Sequence, residues 1–523
     1  MRKLNKVMAV LFAFALLAAA CGSSDSGDSG ESAGVDTAAV DEANAATEAA
    51  EARAAEAEAA AESAADDAQA QIDAAKAEAE AAKAAAEAAQ ADAAAAQAAE
   101  TAGSDNPLAG TAVRVTGPER SPSEAASLQE ALDIFADAND MTIFYVGSAD
   151  WEAEINVQLE AGNPPDISIF PQPGKLADFA RAGDVLPLPA DVEASVSENW
   201  NDAAMGFGLV DGTQYGVPNK SDLKSLVWYQ PARFEANGYE VPETLDELFA
   251  LAGTMIEDGN TPFCIGIESG QATGWTFTDW VEDMMLRTYS PEQYDAWVAG
   301  DLLFGSEEVS GVMQTVLDVW NTPGMVYADG GTIASTAFQA NGDPLVRGDC
   351  MMHRQASFFA SFFPEGTPAA DGSEGAVDVF YFPEGTTGRP VLGAGTLAGA
   401  FNDNPATWAV IDYIGSAEYA NARQASQKAA AGGEGFLSGF NTANLNVDRS
   451  LWEPLEQSFQ DILANAEVLR FDASDLMPAD VGAGTFWTQG TAMVNGDATV
   501  AEAAAIIDES WPRGDDTDEE GDG

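Results

Sequence analysis

Apolar positions divide the chain into stretches of different character. Residues 7–17 form one continuous apolar run behind Arg2, Lys3 and Lys6. That run is short for a bilayer span and carries the flanks of an export signal over residues 1–21. Residues 22–107 are rich in Ala, over half of residues 35–102 being Ala interspersed with Glu, Asp, Gln and a few Lys, and Ile72 is their only large aliphatic residue after Val40. A stretch with nothing to bury cannot make a globular core. Because neither Pro nor Gly interrupts residues 35–102, and Ala is the strongest helix former, this segment reads as a helix about 100 Å long. It lacks the apolar seam of a strong coiled coil, so it is read as a spacer, single or weakly bundled.

From Leu108 the pattern changes to short β-branched runs alternating with helical periodicity. Strands are expected at 112–117, 141–146 and 166–170, and helices at 126–135 and 151–159. Further helices are expected at 406–414, 452–463 and 500–507. Strands alternating with helices imply an α/β fold with a parallel layer. Residues 513–523 are acidic without an apolar residue and read as a disordered tail.

Charge sharpens this division. Over 523 residues, 86 Asp and Glu face 22 Lys and Arg, a net charge of −64. Residues 108–512 hold 60 of these acids against 15 bases, so the excess lies on the folded body as well as on the spacer. Such a surface repels nucleic acid and anionic membranes, and it suits saline surroundings where counterions screen it. The single His, His353, excludes a multi-His metal centre. No phosphate-loop or calcium-loop string occurs, and Gly393 to Gly399 has the wrong spacing for a dinucleotide loop. The sequence therefore calls for no cofactor, no metal and no catalytic residue. Carboxylate pairs are too common here to mark glycoside chemistry by themselves.

In a parallel α/β layer, ligands bind beyond the carboxyl ends of the strands. That rule selects Glu119, Arg120 and Ser121 after the first strand, Ser148 after the second and Gln172 after the third. Flat aromatic rings suit an apolar ligand face, and planar polar groups can bridge adjacent polar groups of a ligand. Trp228, Trp275, Trp280 and Trp487 are candidates of the first kind, and Asp279, Arg354 and Gln355 of the second. Lys220, Lys224 and Gly395 complete the set. Trp228 reads first as a core residue and Trp280 equally as core or site, Arg354 equally as the partner of a carboxylate in its own lobe, and His353 as a structural histidine.

Several strings resemble those of a known family. Gly162-Asn163-Pro164-Pro165-Asp166, Tyr215-Gly216-Val217-Pro218 and Thr485-Phe486-Trp487 are similar to segments of bacterial extracellular solute-binding proteins of the maltose-binding type. Ile265-Gly266-Ile267-Glu268-Ser269-Gly270, Thr278-Asp279-Trp280 and His353-Arg354-Gln355-Ala356-Ser357 resemble the α-glucoside-type members. The resemblance covers about residues 110–512. It implies a two-lobed periplasmic-binding-protein fold with discontinuous lobes and a hinge, here preceded by the long Ala-rich helix. One lobe is expected from 108–220 and 376–439, the other from 221–375 and 440–512, with a first crossover near 218–224. It further implies a non-enzymatic component of an ABC importer that presents a carbohydrate to membrane permease subunits, with a monomeric body. A secreted glycoside hydrolase and an envelope stalk are the alternatives. Ala18-Ala19-Ala20-Cys21 resembles a lipobox, so Cys21 is the expected lipidation site and the protein is expected on the outer face of the membrane, lipid-anchored. Cys264 and Cys350 then remain as an expected disulfide within the second lobe.

Overall fold

A computed structural model describes residues 106–512; the expected signal, lipidated Cys21, most of the spacer and the acidic tail lie outside the described residues. Among the described residues no helix is long and apolar enough to cross a membrane. The first strand, β1 (Ala112–Gly117), buries Val113 and Val115 fully. It leads into helix α1 (Pro122–Ala138), where Ser121 caps the Glu124 backbone N–H and Pro122 supplies a pre-set φ at the first turn. Leu128, Ala131 and Leu132 form the buried stripe of α1, each Leu contributing about 1.5–3 kcal/mol by burial. Next come β2 (Thr142–Gly147), α2 (Trp151–Glu160), β3 (Ile167–Phe170) and α3 (Pro173–Ala182). All five expected elements in this region are present, with ends displaced by a few residues.

The chain then runs through β4 (Val217–Leu223) into β5 (Leu226–Tyr229), β6 (Phe263–Cys264), α4 (Trp275–Thr288), β7 (Val326–Tyr327), β8 (Met352–Arg354) and β9 (Asp378–Tyr381). It closes with β10 (Val391–Ala400), α5 (Pro405–Ile414), α6 (Ala417–Ala431), α7 (Pro454–Asn465), β11 (Leu469–Phe471), α8 (Ala473–Leu476), α9 (Trp487–Asn495) and α10 (Val500–Glu509). Two sheets result. The first has the order β11-β10-β3-β1-β2, with β4 also paired to β10. The second has the order β9-β5-β8-β6-β7. Each sheet carries its own apolar core, with Val113, Ile169, Leu132 and Val410 in one, and Phe263, Trp280, Met285 and Val316 in the other.

Strand pairing places the chain crossings. β4 pairs with β10 as far as Leu223↔Gly393, with one register shift between Thr396 and Leu397, and β5 begins the second sheet at Leu226, so the first crossing falls at Lys224 and Ser225. The return comes later than the expected residue 376. β9 hydrogen-bonds along β5 from Asp378↔Tyr229 to Tyr381↔Leu226, which keeps it in the second lobe until β10 begins at Val391. The expected departure at 440 is also moved. Phe440 and Trp452 bury themselves with Ala420 of the first lobe, and the Leu445 N–H donates to the Asn199 carbonyl at 2.8 Å. The last crossing follows β11, whose parallel pairing with β10 holds Leu469–Phe471 in the first sheet.

Cys264 ends β6 and Cys350 precedes β8. They are joined as a disulfide with Cα atoms 5.4 Å apart, and both are fully buried. Alkylation of the denatured, unreduced protein is expected to label neither cysteine. Replacing both by Ser should cost about 4–5 kcal/mol in urea unfolding; labelling at both sites, or unchanged stability, would remove the bond from the native protein.

Candidate functional site

The crossings form the floor of a cleft between the two sheets. From the first lobe, the loop after β1 delivers Glu119 and Arg120, and the turn after β3 delivers Gln172. Lys220, Asp222 and Gly395 come from the paired strands β4 and β10. A side chain at Gly395 would collide with the Lys220 carbonyl, so glycine is what lets these strands lie together at the floor. From the second lobe come Trp275, Phe338 and Phe358, and from the region beyond the last crossing Asp472, Asp475 and Trp487. Gly274 has φ +116° and its Cα abuts the Trp487 backbone, so a Cβ there would be both strained and blocked. This close approach brings the two tryptophans, far apart in sequence, to one cavity. The lobes meet at the rim, where the Arg120 guanidinium reaches Ser269 Oγ at 3.5 Å and Gly270 lies against Ala149.

Two buried ion networks hold the floor. In the first, the Glu119 carboxylate accepts from Arg423 at 2.6 Å and from Lys220 at 3.2 Å, and Lys220 lies 3.5 Å from Asp222. Burial pushes the Glu119 carboxyl up, but the charges of Arg423 and Lys220 outweigh it and hold the group at about 2. In the second, Lys224 pairs with Asp279 at 2.7 Å and with Asp472, and its ammonium sits 5.2 Å from the centre of the Trp275 ring. Arg354 pairs with Asp279 at 3.1 Å and Asp283 at 2.8 Å, while Arg287 also pairs with Asp283. Burial lifts Asp279 to about 6 despite Lys224. Burial pushes the Asp472 carboxyl up, but the Lys224 charge together with hydrogen bonds involving Lys224, Glu282 and Asp279 outweighs it and holds the group at about 2. Asp279, Glu282 and Asp472 are close enough to ligate a cation, and the Lys224 ammonium already pairs with two of them.

A fold of two sheets joined by three crossings, with one cleft at the joins, is shared with known proteins. Residues 120–421 match the family model described as bacterial extracellular solute-binding protein. This chain belongs to that family. The osmoprotective compounds-binding protein GgtB of Synechocystis sp. is 38% identical over 399 residues, covering 74% of this chain and 89% of the relative. The alpha-glucosides-binding periplasmic protein AglE of Rhizobium meliloti is 39% identical over 420 residues, covering 77% and 88%. Among solved structures, maltose-bound MalE3 of T. maritima superimposes with a TM-score of 0.59 at 17% identity, covering 76% of this chain and 98% of its own. A chitin oligosaccharide binding protein gives 0.62 at 17% identity, covering 76% and 97%. These two share the fold. Members of the family are binding proteins and not enzymes, and the family is extracellular.

Set within this solute-binding fold, the residues picked from sequence fall into two groups. Glu119, Arg120, Gln172, Lys220, Lys224, Trp275, Gly395 and Trp487 line the cleft. Trp228 does not: it is fully buried against Phe363 and Phe459, and its indole N–H donates to the Gln355 carbonyl at 3.1 Å. Trp280 packs edge-on against Phe263, Trp320 and Phe382 in the second core. Asp279 and Arg354 lie beneath the floor in the ion network, and the Gln355 side-chain amide oxygen accepts from the Ala356 N–H. Ser121 is spent as the cap of α1, and Ser148 bonds the Asp150 N–H. Phe338, Phe358, Asp472 and Asp475 line the cleft but were not picked. Phe358 belongs to an aromatic run directly after the Arg354-Gln355 motif, a usable signal. Asp472 and Asp475 follow a three-residue strand, too short to show as a period of two.

His353 is a core residue whose Nδ1 lies 2.9 Å from the Cys264 carbonyl. Burial lowers it to about 4, so the folded state favours the neutral ring. Its contribution to stability is complete above the unfolded value near 6.5 and is lost as the pH falls toward 4. The stability advantage of wild type over His353→Gln should therefore grow by about 3 kcal/mol between pH 4 and pH 7 in urea unfolding. An advantage independent of pH would contradict the buried neutral ring.

Proposed function

We propose that this protein is the solute-capturing component of an ABC importer, lipid-anchored through Cys21 outside the membrane, and that its ligand is a neutral sugar of the α-glucoside class. One observation carries the sugar reading. Two acceptor atoms in the cleft, Glu119 Oε2 and Gln172 Oε1, are buried without a hydrogen-bond partner, and the aromatic rings of Trp275, Phe338, Phe358 and Trp487 line the same space. Buried acceptors call for donors, and rings beside them call for a ligand that is flat and apolar on one side. A pyranose offers both, with hydroxyls at its rim and C–H groups on its face. The names of GgtB and AglE, for osmoprotective compounds and alpha-glucosides, support the same class.

Capture follows from the geometry. Glu119 and Gln172 belong to one lobe, Trp275 and Phe338 to the other, so a sugar completes its contacts only when the lobes close. A ligand with more contacts in the closed state shifts the population toward it by hinge bending. ATP hydrolysis belongs to a separate subunit of the importer. A hydrolase reading has no support from the family, and release of glucose from maltose by the pure protein would revive it.

Calorimetric titration with maltose, trehalose and sucrose tests the assignment. At least one is expected to bind wild type, and Trp275→Ala should weaken that sugar by about 10- to 100-fold, the loss of one stacked face. Equal affinity in the variant would remove Trp275 from the sugar contact.

A further inference from the structure

Glu119 is held by its backbone and by one carboxylate oxygen, which leaves the other oxygen free. The Tyr145 hydroxyl on β2 donates to the Glu119 carbonyl at 2.9 Å, and a Cβ on Gly147 would fall 2.0 Å from that same oxygen. Oε1 of the side chain accepts from the Arg423 guanidinium at 2.6 Å and from the Lys220 ammonium at 3.2 Å. Oε2 is buried without a hydrogen-bond partner, in a residue that lines the cleft. Two cations on one oxygen fix the rotation of the carboxylate and so decide where the second oxygen is aimed.

The two cations are not equivalent. Lys220 also lies 3.5 Å from Asp222, so its charge is divided between two carboxylates. Arg423 pairs with Glu119 alone among the described residues. It stands on α6, which packs along α1, and it is fully buried behind the lining of the cleft. Its guanidinium donates to the Tyr419 hydroxyl at 3.3 Å and lies 4.6 Å from the centre of the Phe440 ring. A planar fork set between a hydroxyl and an aromatic face is pre-organised in one direction. The other titratable groups that face Glu119 are the Glu124 carboxyl on α1, the Asp222 carboxyl on β4 and the phenols of Tyr145 and Tyr419. None of these can supply a positive charge.

Resting on the neutral-sugar reading, we propose that Arg423 is a positioning residue of the cleft: from behind its lining it takes one oxygen of Glu119 and keeps the other ionised and turned toward the hydroxyls of the sugar. Burial pushes the Glu119 carboxyl up, and the Arg423 charge is the largest of the influences that bring it down, ahead of Lys220. Without Arg423 the carboxyl takes up its proton at a higher pH. Affinity for a hydroxyl donor is then lost as the pH falls through that value.

The best-binding sugar of the panel is titrated calorimetrically into wild type, Arg423→Met and Arg423→Lys from pH 5 to pH 8. Each variant is read as the ratio of its Kd to that of wild type at the same pH, so that titration of Glu124, Glu152, Asp222 and Asp475, common to all three proteins, cancels. Arg423→Met should raise Kd about tenfold at pH 8, and by a factor that grows toward pH 5 with a limit of about tenfold per pH unit. Arg423→Lys, which keeps the charge, should give a ratio that is level with pH. In a Glu119→Gln background either substitution should change Kd by less than about twofold. A ratio for Arg423→Met that does not vary with pH, or an equal loss in the Glu119→Gln background, overturns the proposal and leaves Arg423 a packing residue. Should Arg423→Met not fold, as read by circular dichroism, Arg423→Lys decides through the same cycle. Its shorter reach should cost about threefold or more beside Glu119 and nothing in the Glu119→Gln background, and equal effects in the two backgrounds overturn the proposal. If wild type takes up no sugar of the panel at any pH, the neutral-sugar reading itself falls, and this proposal with it.

Discussion

The Lys224 ammonium is the point on which the cleft depends. It lies at the first crossing between the sheets, pairs with Asp279 from the second lobe and with Asp472 from the last crossing, and sits over Trp275. Three segments distant in sequence therefore converge on one charge. Burying an unpaired ammonium is costly, and so is burying either carboxylate alone, which makes the arrangement cooperative: each member is tolerable only with the others in place. Arg354 extends the network through Asp279 to Asp283, and Arg287 ends it. A floor built this way is stiff, and the aromatic walls above it inherit their positions from it.

The placement of bases also gives the large negative charge a second meaning. The body contains four lysines, and Lys175, Lys220 and Lys224 are all buried. Lysine is ordinarily a surface residue. Here three of the four lysines are withdrawn from the surface, Lys220 and Lys224 to the floor of the cleft, while arginines such as Arg181, Arg347 and Arg449 stay exposed in surface ion pairs. Counterions can screen exposed carboxylates, but they do not reach a buried Asp279 or Glu119, so those sites need fixed protein cations.

Much of this was legible in the residues, and the remainder failed for identifiable reasons. The alternation at 112–117 and the stripe of α1 locate two elements because each is periodic and buried on one side. The strand-end rule found Glu119, Arg120 and Gln172, since strand ends are local features. It could not decide Trp228 against Trp275. Both are candidate stacking rings, and the packing of Phe363 and Phe459 onto one, against the openness beside the other, separates them. Lobe boundaries were misplaced for a related cause. Whether β9 pairs with β5 or with β10 is a long-range choice with no local pattern, and Phe440 with Trp452 reads as apolar whichever lobe receives it.

The central claim is that a neutral sugar is held between these lobes, and thermal unfolding measured over a panel of solutes tests it most directly. A ligand that binds only the folded protein raises its midpoint, at one hundred times Kd by an amount equivalent to about 2.7 kcal/mol. An α-linked disaccharide or related glycoside should raise the midpoint, and amino acids and oligopeptides should leave it unchanged. A shift with amino acids or peptides, and with no sugar, would contradict it.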